Sequence, residues 1–238
     1  MLGHAQDRDH WRDSQFRAEG PVVAQLQAAF MDDWFETCGV VLDGPDYFPD
    51  LGPVGPALAQ ALKSSPSSGS ASLRLMYLLA IASASRRILI ANSYFVPDEM
   101  TVAMLVAARR RGVDVEIVVP GPILDAQVVR RASRAMWGPL LEAGARIYEY
   151  QPTMYHTKVM VVDDRWVSVG STNLDDRSFR LNQEANLNVL DPGFGAGQAR
   201  QFAEDRSHAR RITLEEWRRR PVWERVQERF AALIRKQL

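Results

Sequence analysis

An α/β domain built on a mixed sheet is the fold class that this chain predicts. Short β-branched runs alternate with segments of helical period, which argues for layered sheet and helix. Two of those runs are joined by a tight polar turn, so at least one strand pair is antiparallel and the sheet is mixed. At 238 residues, 46% of them hydrophobic, the chain is long enough to bury a full core.

The elements follow in order. A strand is expected over residues 14–19, and Gly20-Pro21 leads into a helix over 22–36, with Pro21 preset for a helix start. Gly, Pro and Ser crowd residues 40–70, which read as an irregular linker with a short helix near 56–63. A helix over 71–85 precedes a strand over 87–93. After Pro97-Asp98 a helix runs to 110 and stops at Gly112, and the β-branched run 113–119 is a strand. A helix over 126–143 ends at Gly144, and a strand follows over 146–150. Residues 157–163 and 166–169 form a hairpin through the Asp163-Asp164-Arg165 turn. A strand over 184–190 and helices over 194–209, 213–219 and 222–236 complete the chain.

Composition narrows the function. Lys and Arg number 29 and so do Asp and Glu, so no net field draws the chain to nucleic acid, and none is expected as a partner. Cys38 is the single cysteine, expected in packing, and no cysteine–histidine cluster offers a metal site; neither metal nor cofactor is expected. The apolar run 75–85 is too short to span a bilayer and reads as a core helix. The first residues are polar, without the apolar stretch of a secretory signal.

The chemistry concentrates in His156-Thr157-Lys158 and in Gly170-Ser171-Thr172-Asn173. Side chains two apart on a strand share a face, so His156 and Lys158 point the same way. The chain prefers arginine, with lysine only at Lys63, Lys158 and Lys236, and a lysine in an apolar strand beside a histidine needs a reason. An ammonium over a phosphate oxygen is one. Gly170 lets the backbone approach a ligand closely, and Ser171 and Asn173, again two apart, offer a hydroxyl and an amide to one point. Asp163, an odd number of residues from His156, is assigned a structural role in the turn.

The spacing of His156, Lys158, Asp163, Gly170, Ser171 and Asn173 resembles the signature of the phospholipase D superfamily. Residues 175–184 are similar to a segment of bacterial cardiolipin synthases, as are 94–98, 130–134 and 148–152. The resemblance implies an α/β/α sandwich around a mixed β-sheet, one phospholipase D-like half, with C-terminal helices. It implies metal-free phosphodiester exchange through a phosphohistidine. In that chemistry Lys158 and Asn173 hold phosphoryl oxygens and Glu184 orients the catalytic imidazole. Tyr94 and Phe95, beside Pro97, are expected to line the substrate site.

Family members with two motifs build their site from two histidines, one attacking phosphorus and one protonating the leaving alcohol. Here His4, His10 and His208 lack a lysine two residues on. Residues 10–21 resemble the segment that follows the first motif, with Asp13 matching the carboxylate that would orient the missing first histidine. The expected organisation is therefore a remnant of a preceding half over 1–39, a linker over 40–70, and a phospholipase D-like domain with C-terminal helices over 71–238. The expected substrate is an anionic phospholipid, phosphatidylglycerol, met at the membrane surface by a peripheral protein on the cytoplasmic side of the cell membrane. A front-half segment or a second copy is expected to complete the site. A homodimeric phosphodiesterase and a noncatalytic remnant are the other readings of the same residues. Arg130, Arg131 and Arg134 near Trp137, and Arg218, Arg219 and Arg220 near Trp217 and Trp223, suit either anionic headgroups or an ordinary solvated helix face.

Overall fold

The computed structural model describes residues 10–66 and 71–233. His4 and Lys236 lie outside the described residues. Eight strands among the described residues form one mixed sheet, ordered β1-β7-β6-β5-β2-β3-β4-β8. The strands are β1 (Leu58–Ser64), β2 (Arg87–Asn92), β3 (Asp114–Pro120), β4 (Arg146–Tyr150), β5 (Lys158–Val162), β6 (Trp166–Gly170), β7 (Glu184–Leu190) and β8 (Ala209–Ile212). β2, β3 and β4 run parallel, and every other pairing is antiparallel.

Alternation along the central strands divides the core into two layers. Ile88, Ile90, Val115, Ile117 and Met160 face α2 (Ala71–Ser83), α3 (Glu99–Arg110) and α5 (Trp137–Glu142). Leu89, Ala91, Val118, Val159 and Val161 face α7 (Pro192–Ser207), which contributes Ala199 and Phe202. Helices on both faces of a mixed sheet give the α/β sandwich. α1 (Val22–Cys38), α4 (Gln127–Ala135), α6 (Asp176–Arg180), α8 (Leu214–Arg219) and α9 (Val222–Leu233) complete the described elements. None of the described helices is long and apolar enough to cross a membrane.

Four expectations are corrected. The expected helix near 56–63 is strand β1, which pairs antiparallel with β7 from Leu58↔Leu190 to Ser64↔Glu184. Ala, Leu, Gln and Lys favour a helix locally, but the open edge of β7 takes the segment as a strand. Lys63 then reaches back to α1, with Nζ 2.7 Å from Asp33 Oδ1. The expected strand over 14–19 is absent; Phe16 packs against Phe194 of α7 with ring centroids 6.0 Å apart, and just upstream Arg12 makes a parallel bridge with Tyr155. The helix over 126–143 divides at Met136 into α4 and α5, because Pro139 has no N–H to continue the ladder. Cys38 is exposed at the end of α1, not packed.

Two of the three arginines of α4, Arg130 and Arg134, are engaged inside the protein, and Arg131 is exposed. Arg130 and Arg134 lie 2.6 and 3.0 Å from Glu149 Oε1, a carboxylate that is 1% exposed, and Arg134 Nε also donates to Glu228. They neutralise a buried charge and do not present themselves to a headgroup.

Candidate active site

Four strand ends meet at one edge of the sheet. The N-terminal ends of β5 and β7 carry Lys158 and Glu184; the C-terminal ends of β2 and β6 carry Asn92 and Gly170. Antiparallel neighbours bring opposite chain ends together, so residues spread over some 90 positions share this edge.

The hairpin sets the geometry. Asp163 and Asp164 both have positive φ, 54° and 58°, and Arg165 N–H donates to Val162 O at 3.1 Å, a two-residue turn whose twist suits the paired strands. The Asp163 carboxylate accepts from Ser85 N at 2.9 Å, Arg86 N at 2.7 Å and Arg87 N at 2.9 Å. It ties the hairpin turn to the start of β2, at the end of the strands away from His156.

His156 stands just before β5, where its N–H donates to Arg12 O at 2.8 Å. Arg12 N–H donates to Met154 O at 2.8 Å, and Arg12 Nε donates to Asp205 on α7 at 2.8 Å. The segment around residue 12 is thus clamped alongside Tyr155, and the clamp delivers two side chains to the imidazole. Asp13 Oδ2 lies 2.9 Å from His156 Nδ1. The Trp11 ring packs against the imidazole with centroids 5.0 Å apart. On the other side, Lys158 Nζ lies 3.0 Å from His156 Nε2 and donates to His156 O at 2.9 Å. With Nδ1–H directed at Asp13, the lone pair is on Nε2, beside the ammonium.

This corrects the expectation for both carboxylates. Asp13, expected to have no histidine in this chain, is the group on His156. Glu184, expected on the far ring nitrogen of the catalytic imidazole, instead accepts from Ser171 Oγ and from Asn182 Nδ2, the latter at 3.2 Å. The reason is the strand order: β6 separates β7 from β5, which puts Glu184 two strands, roughly 10 Å, from the His156 strand.

Burial pulls the Lys158 ammonium down to about 8, against the opposing pull of Asp13, Glu184, Asp175 and Asp125. Burial raises the Asp13 carboxyl, but hydrogen bonds from His156 and from Ser14 N–H outweigh it and hold the group below its usual range. A poised ammonium and an ionised carboxylate flank one imidazole. That set can bind a phosphoryl oxygen, move a proton at Nε2, and steady the imidazolium that results.

The Gly170–Asn173 turn is held from beneath. Thr172 N–H and Oγ1 donate to Asn186 Oδ1 at 3.3 and 2.7 Å, and Asn186 Nδ2 donates to Tyr77 Oη and Ser168 Oγ at 2.7 and 2.8 Å. Asn173 Oδ1 accepts from Ser93 Oγ at 2.8 Å, and Leu174 N–H donates to Asn92 Oδ1 at 3.1 Å. Asn92 is the register partner of Lys158, so these bonds fix the turn to the strand beside the lysine. Asn92, Ser93, Asn186, Tyr77 and Ser168 were not singled out in the sequence. The signal for Asn186 was its position two residues past Glu184 on a strand, the same face by period two.

The lack of a side chain at Gly170 is also required by the sheet: a Cβ there would meet Ala185 O at 2.3 Å and Asn186 Oδ1 at 2.4 Å, so β7 is a close neighbour. Phe95 is also corrected: at 1% exposure its ring belongs to the core and is not free to line the site, because it follows β2 into the layer of Tyr77 and Leu105. Tyr94 is half-buried, and its hydroxyl donates to both Asp125 oxygens at 2.8 Å. Burial and that carboxylate push the Tyr94 hydroxyl well up from its ordinary value. Beside Lys158 lies a cleft of about 230 Å³, walled by Asp13, Gly170, Phe16, Leu26, Val169 and Leu187.

Asp175 caps α6, accepting from Ser178 N–H at 2.7 Å, and burial pushes its carboxyl from 3.8 up to about 7. A raised folded-state value means stabilisation that is complete below about pH 4 and lost as pH rises through about 7. Asp175→Asn keeps the cap acceptor and removes the charge. It should stabilise the chain by about 2–4 kcal/mol at pH 8 and by almost nothing near pH 4 in denaturant titrations.

The sequence family described as cardiolipin synthase, PLD-like domain, matches residues 77–206. Cardiolipin synthase A of Pseudomonas putida strain F1 is 40% identical over 235 residues, 98% of this chain and 48% of that protein. The major cardiolipin synthase ClsA of Bacillus subtilis strain 168 is 37% identical over 227 residues, 94% of this chain and 47% of that protein. The chain spans about half the length of these curated relatives. Among solved structures, the phospholipase D family member Nuc from Salmonella typhimurium superposes with a TM-score of 0.58 at 25% identity, over 66% of this chain and 99% of that one. Phosphatidylserine synthase of Haemophilus influenzae superposes with a TM-score of 0.59 at 19% identity, over 76% of this chain and 48% of that one, a likeness of fold.

Proposed function

Because the chain belongs to the cardiolipin synthase, PLD-like domain family, we propose that Asp13, His156 and Lys158 form one half of a phosphodiester-exchange site acting on phosphatidylglycerol. The observation that carries the reading is the imidazole held between Asp13 at 2.9 Å and the Lys158 ammonium at 3.0 Å. A second imidazole, from a front-half segment or a second copy, stands opposite.

One imidazole attacks phosphorus, so a P–N bond forms and the P–O bond to the leaving alcohol breaks. The other imidazole gives its proton to that departing oxygen. Lys158 and Asn173 receive the nonbridging oxygens as their charge grows. A second alcohol then loses its proton to the latter imidazole and attacks, the P–N bond breaks, and the phosphodiester is restored. With phosphatidylglycerol as donor and acceptor, the products are cardiolipin and glycerol. The apolar wall of Phe16, Leu26, Val169 and Leu187 supports an alcohol acceptor over water, since transfer requires that water be kept from the phosphohistidine.

The crossed placement of the carboxylates supports the half-site. Asp13, from the segment that resembles the end of a front half, serves His156. Glu184 has no imidazole among the described residues and on this reading serves the incoming one. Asp13→Asn should lower kcat about 10- to 100-fold with little change in KM, because it alters imidazole orientation and not lipid binding. The substrate reading is tested by product analysis on labelled phosphatidylglycerol vesicles with the site completed. Equal amounts of cardiolipin and glycerol are expected; phosphatidic acid in place of cardiolipin would make this a hydrolase. The match to the whole of the Nuc chain favours, as a second reading, completion by another copy of this chain. In that case the rate rises with the square of the chain's concentration.

On this reading the protein works as a peripheral component at the cytoplasmic side of the cell membrane.

A further inference from the structure

Helix α9 has two faces that differ in what covers them. Ala231 and Glu228 are 4% and 2% exposed and turn toward the domain, where Glu228 binds Arg134 and Arg220. Val222, Trp223, Val226 and Phe230 are 71%, 60%, 46% and 67% exposed. At 3.6 residues per turn these four lie within an arc of about 100° on the opposite face. Four large apolar side chains in a row on a surface helix mark an interaction surface, not incidental exposure.

Alongside this stripe opens a cleft of about 260 Å³ lined by Trp217, Arg218, Arg220, Arg225, Glu228 and Arg229. The Arg220 guanidinium stacks 3.8 Å from the Trp217 ring centroid and donates to Glu228 at 2.7 Å. Arg218 reaches Glu142 at 2.8 Å. Arg225 and Arg229 pair with no carboxylate among the described residues. The cleft therefore holds four guanidiniums against one buried carboxylate, already bound on two sides.

We propose that α9 is a docking element for an anionic lipid surface. Trp223, Val226 and Phe230 enter below the headgroups, while Arg225, Arg229 and the cleft behind them take lipid phosphates. Charge complementarity decides the occupant: an apolar stripe flanked by unshared arginines fits the boundary between acyl chains and phosphates. A second copy would set these arginines against their own kind. The proposal stands on α9 and does not depend on the chemistry assigned to His156.

The test is sedimentation of the full chain with phosphatidylcholine vesicles with or without phosphatidylserine, an anionic lipid outside the proposed reaction. Binding should require phosphatidylserine and weaken with added salt. Arg225→Gln with Arg229→Gln should weaken partitioning about 25-fold, from about a fivefold loss per arginine. Trp223→Ser should also weaken it and abolish quenching by brominated acyl chains. His156→Ala should bind as the parent does. Helical content by circular dichroism identifies any variant that fails to fold, and the single Trp223→Ser change, fully on the outer face, then carries the test. Equal binding to phosphatidylcholine alone, or full binding by the double arginine variant, would overturn the proposal. So would a lipid-free dimer that Trp223→Ser dissociates, since the stripe would then belong to a second copy.

Discussion

Alanine at position 156 should remove essentially all phosphodiester turnover from the completed site, a loss of about 10⁴-fold or more, with the fold unchanged. On the proposed mechanism the imidazole supplies Nε2, the atom that bonds to phosphorus or moves the proton, and no neighbour can substitute: Asp13 faces Nδ1 and the Lys158 amine lacks an imidazole's proton-relay geometry. The side chain is 30% exposed, and the backbone bond from His156 N–H to Arg12 O survives the change. Stability should move by no more than about 1 kcal/mol. Turnover would be measured with phosphatidylglycerol vesicles and stability by thermal unfolding. Retained turnover would mean that the chemistry lies elsewhere.

Lys158→Met should cut kcat/KM about 10³-fold while making the protein more stable. The loss follows from removing a cation from the oxygens where charge grows. The gain follows from burial. Burial holds the ammonium at about 8 against an ordinary 10.5, so the native state resists the proton that the unfolded state accepts. The folded protein therefore carries a charge penalty that is full below about pH 8 and disappears as pH rises to about 10.5. Methionine, of similar length and without charge, should add about 2 kcal/mol at pH 7 and nothing at pH 10.5. In the parent, kcat/KM should fall with an alkaline limb near pH 8, and Lys158→Arg should move that limb upward, since a guanidinium keeps its charge. A methionine variant that is less stable at pH 7 would contradict this account of the lysine.

Much of the fold could be read because its central strands obey a simple rule. Runs such as 113–119 are buried on both faces, and the β-branched pattern survives whatever lies beside it. The hairpin was legible for a local reason too: two aspartates between apolar runs suit a turn with positive φ. Edges were not legible. Residues 58–64 favour a helix in isolation and become β1 because β7 offers an open ladder. Ala209–Ile212, with two arginines, lies where one expected helix ends and before the next begins, yet pairs with β4 as a charged edge strand of the kind that discourages further pairing.

The site divides in the same way. His156 and Lys158 could be placed on one side because period two is a local property. Which carboxylate reaches the imidazole depends on strand order and on a clamp 143 residues away in sequence, and no local pattern encodes that. The motif alone therefore pointed to Glu184, whereas the Arg12–Tyr155 bridge brings Asp13. The support beneath the Gly170–Asn173 turn was equally hidden, since Asn186, Ser168 and Tyr77 converge from three elements.

On the proposed half-site, this chain supplies one working imidazole and a front-half segment or a second copy supplies the other. Turnover of phosphatidylglycerol should be followed while the remaining part of the Pseudomonas putida relative is titrated into this chain. Activity should saturate with the added segment and vanish when a histidine on either side is replaced. Turnover by the chain alone as a monomer, with a rate linear in its own concentration, would contradict the half-site.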